Sequence, residues 1–216
     1  HLSIRRQRQM CIRDRSSPFT GGALLGDRIR MDDLATEEGI FIRSMASRGS
    51  HGGLSATTRE ATDLLDAFGF DRILLETVGV GQSELEIASQ ADTTVVVLVP
   101  ESGDGIQAMK AGLMEVADLF VVNKSDRPGA DRLRKEIRVV LHLRTRQGEE
   151  DAERGEAWDP PILSTVASVG EGLDALVRGL DDHFGHLERS GTLVPRRRAA
   201  ALEHTRMVLE LSLIHI

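Results

Sequence analysis

Hydrophobic positions along the chain change period several times, and each change predicts an element. Residues 39–43 carry the short apolar run Ile40-Phe41-Ile42 and read as a strand. Over 54–68, Leu54, Ala61, Leu64, Leu65 and Phe68 recur at helical spacing, and Gly69 ends the run. Residues 71–77 predict a second strand and 83–89 a short helix with Glu84 and Glu86 in its first turn. Residues 93–99 are continuously apolar and β-branched, the mark of a strand buried on both faces, and 118–122 repeat the pattern. Helices are predicted over 105–116 and, heavily charged, over 131–143. A short strand over 161–165 precedes Gly170-Glu171-Gly172 and a helix through Leu180. The polar stretch 145–159 reads as a surface excursion, and 195–210 as a helix that opens on Arg196-Arg197-Arg198.

Strands separated by helices of ten to fifteen residues imply right-handed crossovers and a parallel sheet. The expected class is therefore α/β in three layers, with ligands at the carboxyl ends of the strands. Composition narrows the function. The net charge of −7 argues against a partner held by phosphate contacts such as nucleic acid. No run of about eighteen apolar residues exists, so no membrane-spanning helix is expected. A lone Cys, Cys11, excludes a disulfide framework and a Cys-based zinc site.

Both ends of the chain look foreign. Residues 1–15 carry five Arg with no apolar periodicity. Met10-Cys11-Ile12-Arg13-Asp14 and the stretch from Leu211 to Ile216 back-translate to opposite strands of one transposon-end sequence used in preparing sequencing libraries. Residues 1–15 and 211–216 are therefore expected to be translated adaptor. Without the leading five Arg and one Asp, the net charge moves from −7 to −11 and the only Cys drops out.

The candidate chemistry lies at strand ends. Asn123-Lys124-Ser125-Asp126 directly follows the buried strand 118–122. A carboxylate at Asp126 can accept paired bonds from the N1–H and 2-amino group of guanine, a donor pair that adenine lacks. Asn123 would brace the loop and the stem of Lys124 would pack over the base. Glu76-Thr77-Val78-Gly79 leaves the strand 71–77. An acid there suits the hydration shell of Mg²⁺, and a glycine beside it lets a backbone N–H approach a γ-phosphate. Asp27 is a second candidate carboxylate near the metal, or a helix N-cap. His51, in a Gly- and Ser-rich stretch, reads as a surface residue. No Gly-x-x-x-x-Gly-Lys-Ser/Thr loop occurs, and none of the three Lys follows a Gly. Truncation upstream of Ser16 accounts for that absence better than a degenerate enzyme does.

Residues 16–126 resemble the ArgK/MeaB family of GTPases, relatives of the methylmalonic aciduria type A protein. The resemblance rests, in order, on the runs Ser16 to Met31, Phe41 to Gly49, Glu76 to Glu84, Pro100 to Gly112 and Asn123 to Asp126, and extends more weakly to about residue 185. It implies a G-domain-like P-loop NTPase fold, here without its first strand and phosphate-binding loop. It also implies that the strand ending in Asp-Pro before Ser16 is absent, that Asp included. By resemblance Asp27 is the switch-I carboxylate, Glu76 the acid near Mg²⁺, and Gly79 the switch-II glycine. Asn123, Lys124 and Asp126 become the guanine reader. Val166-Ala167 falls where many such proteins place Ser-Ala against the guanine O6, a contact usually made by backbone N–H. The implied cofactors are GTP/GDP and Mg²⁺, and the implied location is cytoplasmic. The implied role is a GTP-hydrolysing chaperone of adenosylcobalamin-dependent methylmalonyl-CoA mutase, which homodimerises through a C-terminal helical arm. Residues 16–185 would then be a partial GTPase domain and 186–210 the start of the arm. The fragment itself is expected to hydrolyse little or no GTP. Two alternatives are a nucleotide-dependent metallochaperone of another enzyme and a non-enzymatic partner-binding module on the same fold.

Overall fold

A computed structural model describes residues 9–14, 34, 37–45, 58–77, 89–100, 112–148 and 158–214. The predictions at Asp27, His51 and Gly79, most of the helix 83–89 and residues 105–111 of the helix 105–116 lie outside these residues; within them Gly112 is left-handed (φ +76°) and the helix begins only at Leu113, so 105–116 is not one continuous helix. The chain divides into two units, His1–Gly79 and Val80–Ile216, each with its own three-stranded sheet.

In the first unit the strands are β1 (Gln9–Asp14), β2 (Ile40–Met45) and β3 (Arg72–Glu76), with helix α1 (Thr58–Phe68) before β3. Strand β1 lies between the other two and pairs with both in parallel, Met10 beside Phe41 and Ile73, Ile12 beside Arg43 and Leu75. This corrects the expectation that no strand ending in Asp precedes Ser16. The segment 9–14 is a strand, and Asp14 is its last residue. Flanking arginines hide its central Met-Cys-Ile run from a period-based reading. Pairing of the backbone does not depend on where the encoding sequence came from. Helix α1 is followed by a left-handed Gly69 (φ +88°), which turns the chain directly into β3.

The second unit contains β4 (Val95–Leu98), α2 (Leu113–Val116), β5 (Leu119–Asn123), α3 (Ala130–Gly148), β6 (Ile162–Thr165), α4 (Leu173–Arg189) and α5 (Leu193–Ile214). Its strands run in the order β4-β5-β6, all parallel, as continuous crossovers require. Leu119 to Val122 are at most 2% exposed, so β5 is covered on both faces. Phe120 and Val122 join Val96, Leu98, Met114, Leu133, Ile137 and Leu141 in one core beneath α2 and α3. Leu119 points the other way, against α4, where Gly179 leaves room for its methyl group. The helices therefore lie on opposite faces of the sheet, which is the three-layer α/β architecture expected.

Several elements outrun their predicted bounds. Helix α3 continues through Gly148, into the segment read as a surface excursion. Helix α4 runs to Arg189 rather than stopping at Leu180, so the boundary drawn at 185/186 falls inside a helix. The break comes instead at Gly191 (φ +71°), where the Thr192 N–H reaches the Leu187 carbonyl (3.1 Å) and the Gly191 N–H the Glu188 carbonyl (3.1 Å). Helix α5 then extends through Ile214, with Pro195 in its first turn, where no helical N–H donor is needed.

The amino-terminal ends of β4 and β5 are tied by a polar cluster. Asp118, just before β5, accepts from the Thr94 N–H (2.8 Å) and from Arg196 of α5 (3.2 Å), and its other oxygen lies 3.4 Å from Nε2 of His183. Nδ1 of His183 meets the Thr93 hydroxyl at 2.8 Å, so one imidazole proton satisfies the ring, Nε2–H toward the carboxylate. Trp158 does not belong to an exposed excursion. Its indole N–H donates to the Asp118 carbonyl (2.8 Å) and its ring packs on His183, centroids 4.9 Å apart.

Two outcomes are expected. Replacing Ile137 by Ala leaves a cavity under β5 and should cost about 2–5 kcal/mol in denaturant unfolding; a loss under about 1 kcal/mol would show the α3 side of the core to be plastic. Burial pushes the His183 imidazole below its ordinary 6.5, outweighing the pull of Asp118. The unfolded chain therefore takes up this proton first, and the contribution is complete above pH 6.5 and declines as pH falls below it. Melting temperatures at pH 7.5 and 5.5 should show a larger fall for the native chain than for His183→Gln; equal falls would contradict this.

Candidate functional site

Strand β5 is apolar until Asn123, so the first side chains free to meet a ligand lie at its carboxyl end. There the chain reverses sharply. Lys124 has φ +55°, unfavourable for a residue with a side chain by roughly 1–2 kcal/mol. Two bonds hold it: the Arg127 N–H to the Lys124 carbonyl (3.0 Å) and the Ser125 N–H to the Thr165 carbonyl (3.1 Å). The second ties the turn to the neighbouring strand end, at β6.

Asn123 completes that tie. Its Oδ1 accepts from the Thr165 hydroxyl (3.1 Å) and from the Ala167 N–H (3.1 Å). One amide oxygen thus locks the turn after β5 to the turn after β6. Thr165 is 2% exposed, so its hydroxyl needs this acceptor. The Asp126 carboxylate is exposed and makes no hydrogen bond or ion pair among the described residues. Lys124 also projects from the exposed surface.

The turn after β6 is closed by its own bonds. The Val166 N–H donates to the Glu171 carbonyl (3.0 Å), and a single 3-10 turn spans Ala167–Val169. Val166 is half-buried and Ala167 exposed. Both N–H groups are engaged within the protein, Val166 with Glu171 and Ala167 with Asn123, so a base oxygen could use Ala167 only by sharing or displacing the Asn123 bond. Gly172, in the left-handed region at φ +79°, lets α4 start against β6; a Cβ there would fall on the Ser164 carbonyl oxygen.

The structure therefore brings Asn123, Lys124, Asp126, Val166 and Ala167 together at one end of one sheet. Glu76 is half-buried at the carboxyl end of β3, in the first unit, and is not without partners. Asp27 and Gly79 lie outside the described residues. Sequence reasoning missed Thr165 and Gly172. The signal for Gly172 was present in the Gly-Glu-Gly turn; for Thr165 it was only its place at a strand end beside Val166.

Adding a methyl group by Gly172→Ala should move α4 or β6 and cost about 2 kcal/mol or more, read by denaturant unfolding; a change within about 0.5 kcal/mol would contradict the close approach. Asn123→Ala strands a buried hydroxyl and an N–H and should cost about 1–3 kcal/mol. It should also accelerate amide exchange over 165–171, and unchanged protection there would contradict the brace.

The sequence matches the family model described as Methylmalonyl Co-A mutase-associated GTPase MeaB over residues 5–215. It is 50% identical over 196 residues to a Pyrococcus horikoshii protein that carries the name of a GTPase, covering 91% of this chain and 60% of that one. It is 39% identical over 200 residues to the GTPase ArgK of Escherichia coli (91% and 58%), and 38% identical over 188 residues to the mouse mitochondrial homolog of methylmalonic aciduria type A (86% and 44%). The chain therefore spans about 60% or less of the length of these relatives. The crystal structure of a LAO/AO transport system kinase superposes with a TM-score of 0.66 at 27% identity, covering 96% of this chain and 59% of that one. With a family match that runs over nearly all of its length, the chain belongs to the ArgK/MeaB family of GTPases.

Proposed function

We propose that the turn after β5 reads guanine, and that the whole protein from which this chain derives binds and hydrolyses GTP. The observation that carries the reading is the strained Asn123–Asp126 turn, locked to Thr165 and Ala167 while the Asp126 carboxylate stays exposed. A carboxylate with two free oxygens is a paired acceptor for N1–H and the 2-amino group of guanine. Adenine offers an acceptor at N1 and no 2-amino group, so the same carboxylate repels it. Lys124 would cover one face of the base with its aliphatic stem. Ala167 would offer its N–H to the guanine O6, sharing it with Asn123.

The phosphate end of the reading rests on Glu76, Asp27 and Gly79. Glu76 ends strand β3, where an acid at the carboxyl end suits a hard cation, and a single carboxylate fits Mg²⁺, which keeps several of its waters. When bound, Mg²⁺ would neutralise the charge that builds on the β- and γ-phosphate oxygens. Asp27 would be the second acid near it, and the Gly79 N–H would sense the γ-phosphate. In the whole protein this cycle would serve as a GTP-driven chaperone of adenosylcobalamin-dependent methylmalonyl-CoA mutase, in a homodimer formed through the C-terminal helix. The family's description as mutase-associated and the exposed Val194, Leu202, Val208 and Leu209 of α5 support this. No helix among the described residues is long and apolar enough to cross a membrane. The acidic composition fits a protein with no nucleic-acid partner, and a cytoplasmic location follows only from the family reading.

The test is a titration of the isotope-labelled chain with GDP and with ADP, followed by amide shifts. GDP should perturb residues 123–126 and 166–171 selectively, and Asp126→Ala should abolish the difference between the two nucleotides. Equal perturbation by ADP, or shifts confined elsewhere, would overturn the reading.

A further inference from the structure

The polar cluster at the opposite end of β5 has no part in reading a base, yet its residues come from four separate elements. Asp118 precedes β5, Thr93 and Thr94 precede β4, His183 lies on α4, and Arg196 lies in the first turns of α5. Beside it, Arg197 grips Asp92 with two bonds, Nε to Oδ1 (2.9 Å) and Nη2 to Oδ2 (2.6 Å). Two consecutive arginines of one helix therefore engage two carboxylates that sit just ahead of two adjacent strands.

The geometry separates a gripping pair from a solvated charge run. The Asp118 side chain is 15% exposed and meets three partners within this cluster: the Thr94 N–H, Arg196 and His183. The Arg197–Asp92 contact is a planar fork on a carboxylate, which fixes direction as well as distance. Trp158 closes one side, bonded to the Asp118 carbonyl and packed between His183 and His186 at 4.9 and 5.3 Å. Beyond Arg197, α5 runs on for four more turns with Ala201, Leu202 and Leu209 exposed. The two arginine contacts hold its first turns to the domain.

We propose that Asp92 and Asp118 form a docking key that sets the direction in which α5 leaves the domain, with Arg196 and Arg197 as positioning residues. The key lies at one end of buried strand β5 and the Asn123–Asp126 turn at the other, five residues away. Helix α5 is thus oriented with respect to that turn through one rigid strand rather than through a flexible hinge at Gly191.

The test uses the 216-residue chain with Cys11→Ser and spin labels on Arg138→Cys in α3 and Ala201→Cys in α5, diluted with unlabelled chain. The otherwise native chain should give a single narrow distance distribution by pulsed electron paramagnetic resonance. Arg196→Met with Arg197→Met should lose that narrow peak while helix content and a cooperative melt are retained. Asp92→Arg with Arg197→Asp should restore a narrower distribution than Arg197→Asp alone, a readout that general destabilisation would not produce. Should the double Met variant fail to fold, Arg197→Met alone, at a half-exposed position, should still broaden the peak. A broad distribution in the native chain, an unchanged width in the Met variants, or no recovery on charge exchange would overturn the proposal.

Discussion

Strand β5 is buried on both faces, and that single constraint organises the second unit. A strand with Leu119, Phe120, Val121 and Val122 at most 2% exposed has no side chain to spare for chemistry along its length. Its polar groups are forced to the two ends, Asp118 at one and Asn123 at the other. Each end then becomes a junction, because buried polar atoms need partners from whatever elements pass nearby. The Asp118 junction collects β4, α4 and α5; the Asn123 junction collects the turn after β6. One strand thereby connects the attachment of the C-terminal helix with the candidate base-reading turn.

The Asn123 junction shows how a loop can be both exposed and exact. Asp126 and Lys124 face solvent, which normally means mobility. Here the amide oxygen of Asn123 and the backbone of Thr165 clamp the turn from behind, and the positive φ of Lys124 is tolerated because these bonds over-determine it. Strain held this way would pre-organise the exposed Asp126 carboxylate for the proposed base. The tight start of α4 at Gly172 serves the same end by keeping the turn after β6 short.

Local patterns disclosed much of this, and nonlocal pairings did not. The β-branched run at 119–122 announced a strand buried on both faces, whereas in the run 93–99, expected to be equally buried, Val97 is exposed on one face of β4; Asn-Lys-x-Asp after the buried run marked the candidate turn. Strand β1 escaped notice because its Met-Cys-Ile core sits among arginines, and only two neighbouring strands make it pair. The full length of α4 was hidden by Asp181, Asp182 and His183, which break an apolar stripe; His183 is nevertheless 1% exposed because Thr93 and Asp118 meet it from 90 and 65 residues away in sequence. Arg196 and Arg197 read only as the opening of a helix, since nothing near them in sequence names Asp118 or Asp92 as partners. Trp158, placed in a polar excursion by its neighbours, is drawn in by one carbonyl and two imidazole rings.

The central claim is that the carboxylate of Asp126 reads the 2-amino group of guanine. Asp126→Asn exchanges one acceptor for an N–H donor, which complements the 2-oxo group of xanthine instead. Binding of GDP and of xanthosine diphosphate should therefore be compared for the native chain and this variant. The account predicts that preference reverses, from guanine in the native chain to xanthine in Asp126→Asn. An unchanged preference, or none in either protein, would contradict it.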